Sequence, residues 1–179
     1  MKTNTPRTAS TRLALLATVL IGFAGQHAGT VLAATALSGA PAPDFVLKSL
    51  SGENVRLSEY RGQVVMVSFW ATWCGDCRTQ LEGLNEWYDT YQGAGLQLLA
   101  VSLDRSWEVF SKTAGTLNLA YPVLYDANLE VSKLYDVSSM PVAVLIDRDG
   151  VVRDVIEGYR RTGEQEFLDR VRALLREQW

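Results

Sequence analysis

Histidine is almost missing from these 179 residues: His27 is the single one. It lies in a segment that reads as an export signal, so the exported chain would carry no imidazole. That excludes Cys-His and Ser-His catalysis and every His-bearing metal site within this chain. Cysteine is nearly as scarce, with only Cys74 and Cys77. No basic run or patch stands out, which leaves nucleic-acid binding without support. There is no internal repeat and no low-complexity tract.

The first 36 residues separate from the rest. Lys2, Arg7 and Arg12 make a basic start, and Leu13 to Ala24 is an unbroken apolar run. Small residues follow, with Val31-Leu32-Ala33 or Ala34-Thr35-Ala36 as candidate cleavage sites. That order is an export signal. Twelve helical residues reach about 18 Å, short of a bilayer core of about 30 Å. Between Leu13 and Ala34 only Gln26 and His27 are strongly polar, so a retained N-terminal anchor is the alternative for the same segment. Removing Lys2, Arg7 and Arg12 takes Lys+Arg from 17 to 14 against 20 Asp+Glu, a net charge of −6. Residues 37 to 179 then form one domain, with a hydrophobic content of 47% over the whole chain, enough to fill a core.

Within that domain the apolar pattern alternates between two periods. Phe45 to Leu47 and Val55 to Leu57 flank Ser51-Gly52 and read as a hairpin. Val64 to Val67 with Phe69 is a β-branched run, a buried strand. Leu81, Leu84, Trp87, Tyr88 and Tyr91 share one helical face, which Gly93 and Gly95 end. Leu96 to Leu103 is a second buried strand. Ser106 caps a helix carrying Phe110, Ala114 and Leu117. A short strand (Pro122 to Tyr125) and a short helix (Val131, Leu134, Tyr135) follow. Val142 to Ile146 turns at Asp149-Gly150 into Val151 to Ile156. Thr162 with Gln165 resembles a capping box before a last helix striped with Phe167, Leu168, Val171, Leu174 and Leu175. The β-α-β alternation predicts parallel strands with helices on their faces, and the closing β-β-α adds an antiparallel edge.

Strand, then Cys74-Gly75-Asp76-Cys77, then helix places Cys74 at a helix N-terminus. Unpaired N–H groups and the helix dipole stabilise an anion there. The thiolate is the form that attacks disulfides, and Cys77 is one turn away to resolve a mixed disulfide. Two other readings exist for the pair. As a passive clip it closes too short a loop to restrain the unfolded chain much. As a metal site it supplies two thiolates where zinc wants about four ligands; Cu(I) held by both cysteines and Met140 is the one imaginable set.

The segment Phe69-Trp70-Ala71-Thr72-Trp73-Cys74-Gly75-Asp76-Cys77-Arg78 resembles the active-site stretch of the thioredoxin superfamily. Ala42-Pro43-Asp44-Phe45, Leu57 to Gly62, Ser139-Met140-Pro141 and Leu145 to Gly150 are similar to its exported TlpA/ResA/DsbE-like thiol–disulfide oxidoreductases. The resemblance spans about residues 40 to 178. It implies an α/β thioredoxin-like fold: a central mixed sheet with flanking helices, an N-terminal hairpin extension and an inserted βα element. It implies Cys74 as nucleophile, Cys77 as resolving thiol and a redox-active disulfide between them. A cis Met140–Pro141 bond would face the pair, and Trp73 would form the apolar lip a substrate crosses, while Trp70 packs. Cofactors beyond the cysteine pair are not implied.

Three positions depart from common family patterns. Asp76 stands where proline is frequent. It is either a helix-start acid worth about 0.3–1 kcal/mol against the dipole, or a charge that opposes the Cys74 thiolate and makes the pair more reducing. Ser68 and Gln80 stand where relatives carry acids that move a proton, so both relay positions are uncharged. The expectation is a monomeric periplasmic reductase whose clients are protein disulfides such as apocytochrome c or metal-site cysteines, re-reduced by a membrane electron donor. The alternatives are a thiol oxidase or peroxiredoxin-like peroxidase and, as a non-enzyme, a thioredoxin-fold Cu(I) metallochaperone. A peroxidase would use a lone peroxidatic thiol with Thr and Arg partners.

Overall fold

A computed structural model describes residues 37–158 and 164–177. The export segment and Thr162 lie outside them. Among the described residues no helix is long and apolar enough to cross a bilayer.

Among the described residues seven strands form one mixed sheet: β1 (Val46–Ser49), β2 (Asn54–Arg56), β3 (Val64–Trp70), β4 (Leu96–Ser102), β5 (Val123–Tyr125), β6 (Val142–Ile146) and β7 (Val152–Glu157). Their spatial order is β2-β1-β5-β4-β3-β6-β7. Among the described residues four α-helices accompany them: α1 (Gly75–Tyr91), α2 (Trp107–Ala114), α3 (Glu130–Leu134) and α4 (Glu164–Arg176). β3, β4 and β5 run parallel, and β6 and β7 close the sheet antiparallel. The β1–β2 hairpin extends the other edge through β5, and β5 with α3 is the inserted βα element.

β3 and β4 are buried at every residue, which is why they read as continuous apolar runs. Alternate side chains feed two cores. Val64, Met66 and Trp70 join Leu81, Leu84 and Trp87 of α1, Phe110 of α2, and Val171 and Leu174 of α4. Val65, Val67 and Phe69 join Phe45, Leu57, Val131 and Tyr135. Arg148 donates to the carbonyls of Leu174 and Leu175, satisfying acceptors that the last turn of α4 leaves open.

The structure moves a few expected boundaries. Leu57 starts a 3-10 turn (Leu57–Tyr60) instead of ending β2. Leu117 lies beyond α2, because Thr116 and Leu117 donate three residues back to Thr113 and Ala114 and tighten the chain into turns. Leu117 still packs on the first core. At Gly95 the backbone turns left-handed (φ 95°), which closes the 3-10 turn Gln92–Ala94 that follows α1 and leads into β4.

The Ala42-Pro43-Asp44-Phe45 stretch is an anchor. Burial pushes the Asp44 carboxyl up, but hydrogen bonds from Ser58 and Arg56 outweigh it and hold it below its ordinary value. Tyr135 is fully buried between Phe45 and Phe69, and its hydroxyl donates to the Pro43 carbonyl at 2.7 Å. Tyr135→Phe leaves that carbonyl without its partner. It is expected to cost about 1 kcal/mol, read as a fall of roughly 2–5 °C in a thermal melt, with disulfide exchange unchanged.

Candidate active site

β3 delivers the chain to the site. Its last residue, Trp70, is followed by a tight loop in which the Cys74 N–H donates to the Ala71 carbonyl at 3.0 Å. Cys74 is the N-cap of α1, with extended backbone (φ −92°, ψ 102°). Its sulfur accepts the Cys77 N–H at 3.2 Å, meeting one donor that the first helical turn leaves unpaired. Cys74 and Cys77 form a disulfide, their Cα atoms 5.3 Å apart. The two residues are not equivalent: Cys74 keeps 9% of its surface exposed and Cys77 none.

A further element, β6, approaches the pair. β6 runs beside β3 with Val142 opposite Phe69, so Pro141 lies level with Trp70, one step before the loop. The Met140–Pro141 bond is cis. Pro141 is buried, and Met140 packs on the core cluster that includes both cysteines. Trp70 packs as expected, against Phe110, and its indole N–H has no partner among the described residues. Trp73 is 72% exposed. It borders a groove of about 760 Å³ lined by Thr72, Asp104, Val109, Val137 and Met140 among others.

Gln80 lies three residues after Cys77 in α1, so the two share one helical face. Ser68 and Gln80 are both buried, and the Ser68 hydroxyl donates to Gln80 Oε1 at 3.2 Å. The two positions singled out as uncharged relay sites thus pair with each other. Asp76 lies in the exposed first turn of α1. Residue periodicity did not flag Thr72 and Asp104. Asp104 directly follows Leu103 at the carboxyl end of a parallel strand, the edge where α/β sheets bind ligands, and that position was the available signal.

A mixed sheet whose cis-proline stands beside a disulfide at a strand-to-helix junction defines a thioredoxin-fold protein. Residues 38–155 match the AhpC/TSA family. The thiol-disulfide oxidoreductase ResA of Geobacillus kaustophilus is 38% identical over 120 residues, covering 67% of this chain and 69% of that one. ResA of Bacillus cereus is 33% identical over 135 residues, covering 74% and 78%. A DsbE-type thiol:disulfide interchange protein of Chlorobium tepidum superposes with a TM-score of 0.74 at 34% identity, covering 77% of this chain and 97% of that one. The chain belongs to the AhpC/TSA family and is a thiol–disulfide oxidoreductase similar to ResA and DsbE.

The uncharged Ser68–Gln80 pair can be tested by charging it. In Gln80→Glu a carboxyl replaces a side chain that is 7% exposed, and burial raises its pKa. Protonated below that value and ionised above it, the carboxylate accepts the Cys77 proton only on the alkaline side. The rate of disulfide reduction by the variant should gain a second inflection and rise with pH through it, besides the inflection of the attacking thiol that it shares with the parent protein. A stopped-flow pH–rate profile reads this.

Proposed function

We propose that the protein acts in the periplasm as a reductase of a few client disulfides. The supporting observation is the asymmetry of the pair: Cys74, which keeps a small exposed surface, sits at the helix N-terminus, and Cys77, one turn inside, keeps none. Residues 1–36 direct export, cut or retained as an anchor, and residues 37–179 are the working domain, a monomer. Cys74 is the nucleophile. Its thiolate attacks one sulfur of a client disulfide, and the client's other sulfur leaves as a thiolate. Cys77 then attacks Cys74 Sγ, its proton is released, and the second client sulfur departs. The client has gained two electrons, and the protein holds the Cys74–Cys77 disulfide. A membrane donor of the thiol-reducing type returns two electrons and restores the dithiol.

Trp73, Met140 and Pro141 are the client-facing surface. The groove beside them accommodates an extended chain, and the backbone before Pro141 can pair with it. Apocytochrome c cysteines or metal-site cysteines suit this geometry, because either must be reduced before its partner is loaded. Asp76, Ser68 and Gln80 tune the pair. A peroxidase reading fits less well, since the only thiol available to Cys74 is its own neighbour, one turn along.

Cys77→Ser should stall the cycle at the mixed disulfide and trap clients in vivo, for identification by mass spectrometry. Cys74→Ser should trap none. A measured potential near the oxidising end of the thioredoxin-like range, about −120 mV, would reverse the direction proposed; one near −270 mV agrees with it.

A further inference from the structure

The β3–β4 ladder ends at Trp70 and Ser102, and the Leu103 N–H still reaches the Trp70 carbonyl at 2.9 Å. Beyond that point the strands diverge, and a side chain takes over. Asp104 is only 4% exposed. Its carboxylate accepts the Thr72 N–H on both oxygens (3.2 and 3.1 Å) and the Thr72 hydroxyl on Oδ1 at 2.7 Å. Its Oδ2 also accepts the Ser102 hydroxyl at 2.8 Å, while its own N–H donates to that hydroxyl oxygen at 3.1 Å. Among the described residues no cation pairs with it, the neighbouring Arg105 included.

A buried carboxylate held only by neutral donors is costly to desolvate. If Asp104 served only to end the ladder, a neutral acceptor would do so at lower cost. What the carboxylate adds is a two-oxygen grip on one residue, Thr72, which lies two positions before Cys74. The same pair forms part of the groove wall, next to Trp73. We propose that Asp104 is a positioning residue: through Thr72 it fixes the Ala71-Thr72-Trp73 loop, so that a polypeptide client lying in the groove presents its disulfide in line with Cys74. It does not touch the sulfurs. Its effect falls on large substrates that use the groove and spares small ones that reach Cys74 directly.

This rests on the reading of the pair as a reductant of polypeptide disulfides, so the test carries a substrate of each kind. The reduced protein is mixed with hydroxyethyl disulfide and, separately, with a disulfide-bridged decapeptide, and second-order rate constants are measured. Thr72→Val removes the hydroxyl bond at nearly constant shape. Asp104→Asn offers a single acceptor oxygen and turns an amide toward existing donors. Both should slow the peptide reaction roughly tenfold, since small misplacements at a reacting centre are costly, and leave the hydroxyethyl disulfide rate within about twofold. Thr72→Ser, which keeps the hydroxyl, should restore the peptide rate. An unchanged ratio of the two rates in Thr72→Val, with a native circular dichroism spectrum, overturns the inference. That single variant decides if Asp104→Asn does not fold. Unmodified protein that reduces hydroxyethyl disulfide but not the peptide overturns the client-reductase reading itself.

Discussion

The Cys74 sulfur closes the first turn of α1, and the site is organised around that contact. The N–H groups at a helix start need acceptors, and here a sulfur of the disulfide is one of them. The same donors and the helix dipole favour negative charge on that sulfur once the disulfide opens. The contact is only as well placed as the strand that leads to it. β3 is central, paired with β4 on one side and β6 on the other, and buried on both faces. Its end cannot shift without disturbing both cores, so the helix start is fixed where β3 points. The ends of its neighbours supply the rest: β4 leads to Asp104, and β6 begins just after cis-Pro141.

Magnitudes decide what sets the potential. Thioredoxin-like pairs span about −270 to −120 mV, which is about 7 kcal/mol at roughly 1.4 kcal/mol per 30 mV. Asp76 is exposed, and a charge near a helix start is worth about 0.3–1 kcal/mol there, less in salt. That shifts the potential by at most about 20 mV. The larger differences have to come from what holds the two sulfurs: complete burial of Cys77, the neutral Ser68–Gln80 pair, and the N–H donated to Cys74. On that scale an exposed charge such as Asp76 can shift the potential only slightly, less than its position beside the cysteines first invites.

The sequence carries the fold legibly because each central strand is buried on both faces and each long helix on one. Those conditions write unbroken apolar runs and striped helices into the chain, and the β-α-β order follows from them. The cysteine pair is legible for a local reason: strand, CxxC and helix are contiguous, so their geometry needs no long-range contact. Asp104 was not legible. Its partner Thr72 is 32 residues away, and nothing local marks a carboxylate that will be buried. The pairing of Ser68 with Gln80 was hidden in the same way, although each had been singled out separately. Leu117 failed for the opposite reason. Its spacing suits a helix, but the chain tightens into successive turns after Ala114 and delivers Leu117 to the same core from outside it.

Burial also gives the proposed cycle its order. With Cys77 fully enclosed, a bulky disulfide meets only Cys74, so the mixed disulfide forms at one sulfur. Cys77 attacks that sulfur from within the helix, where the Cα separation of 5.3 Å already allows a bond. Its proton then leaves with Gln80 and Ser68 able to orient a hydrogen bond but not to hold the charge. The resolving step is therefore the one most sensitive to what surrounds the pair. A loop clamped by a carboxylate on the groove side, combined with an uncharged Ser68–Gln80 pair on the core side, divides the work: the first positions the incoming client, and the second governs how readily it is released.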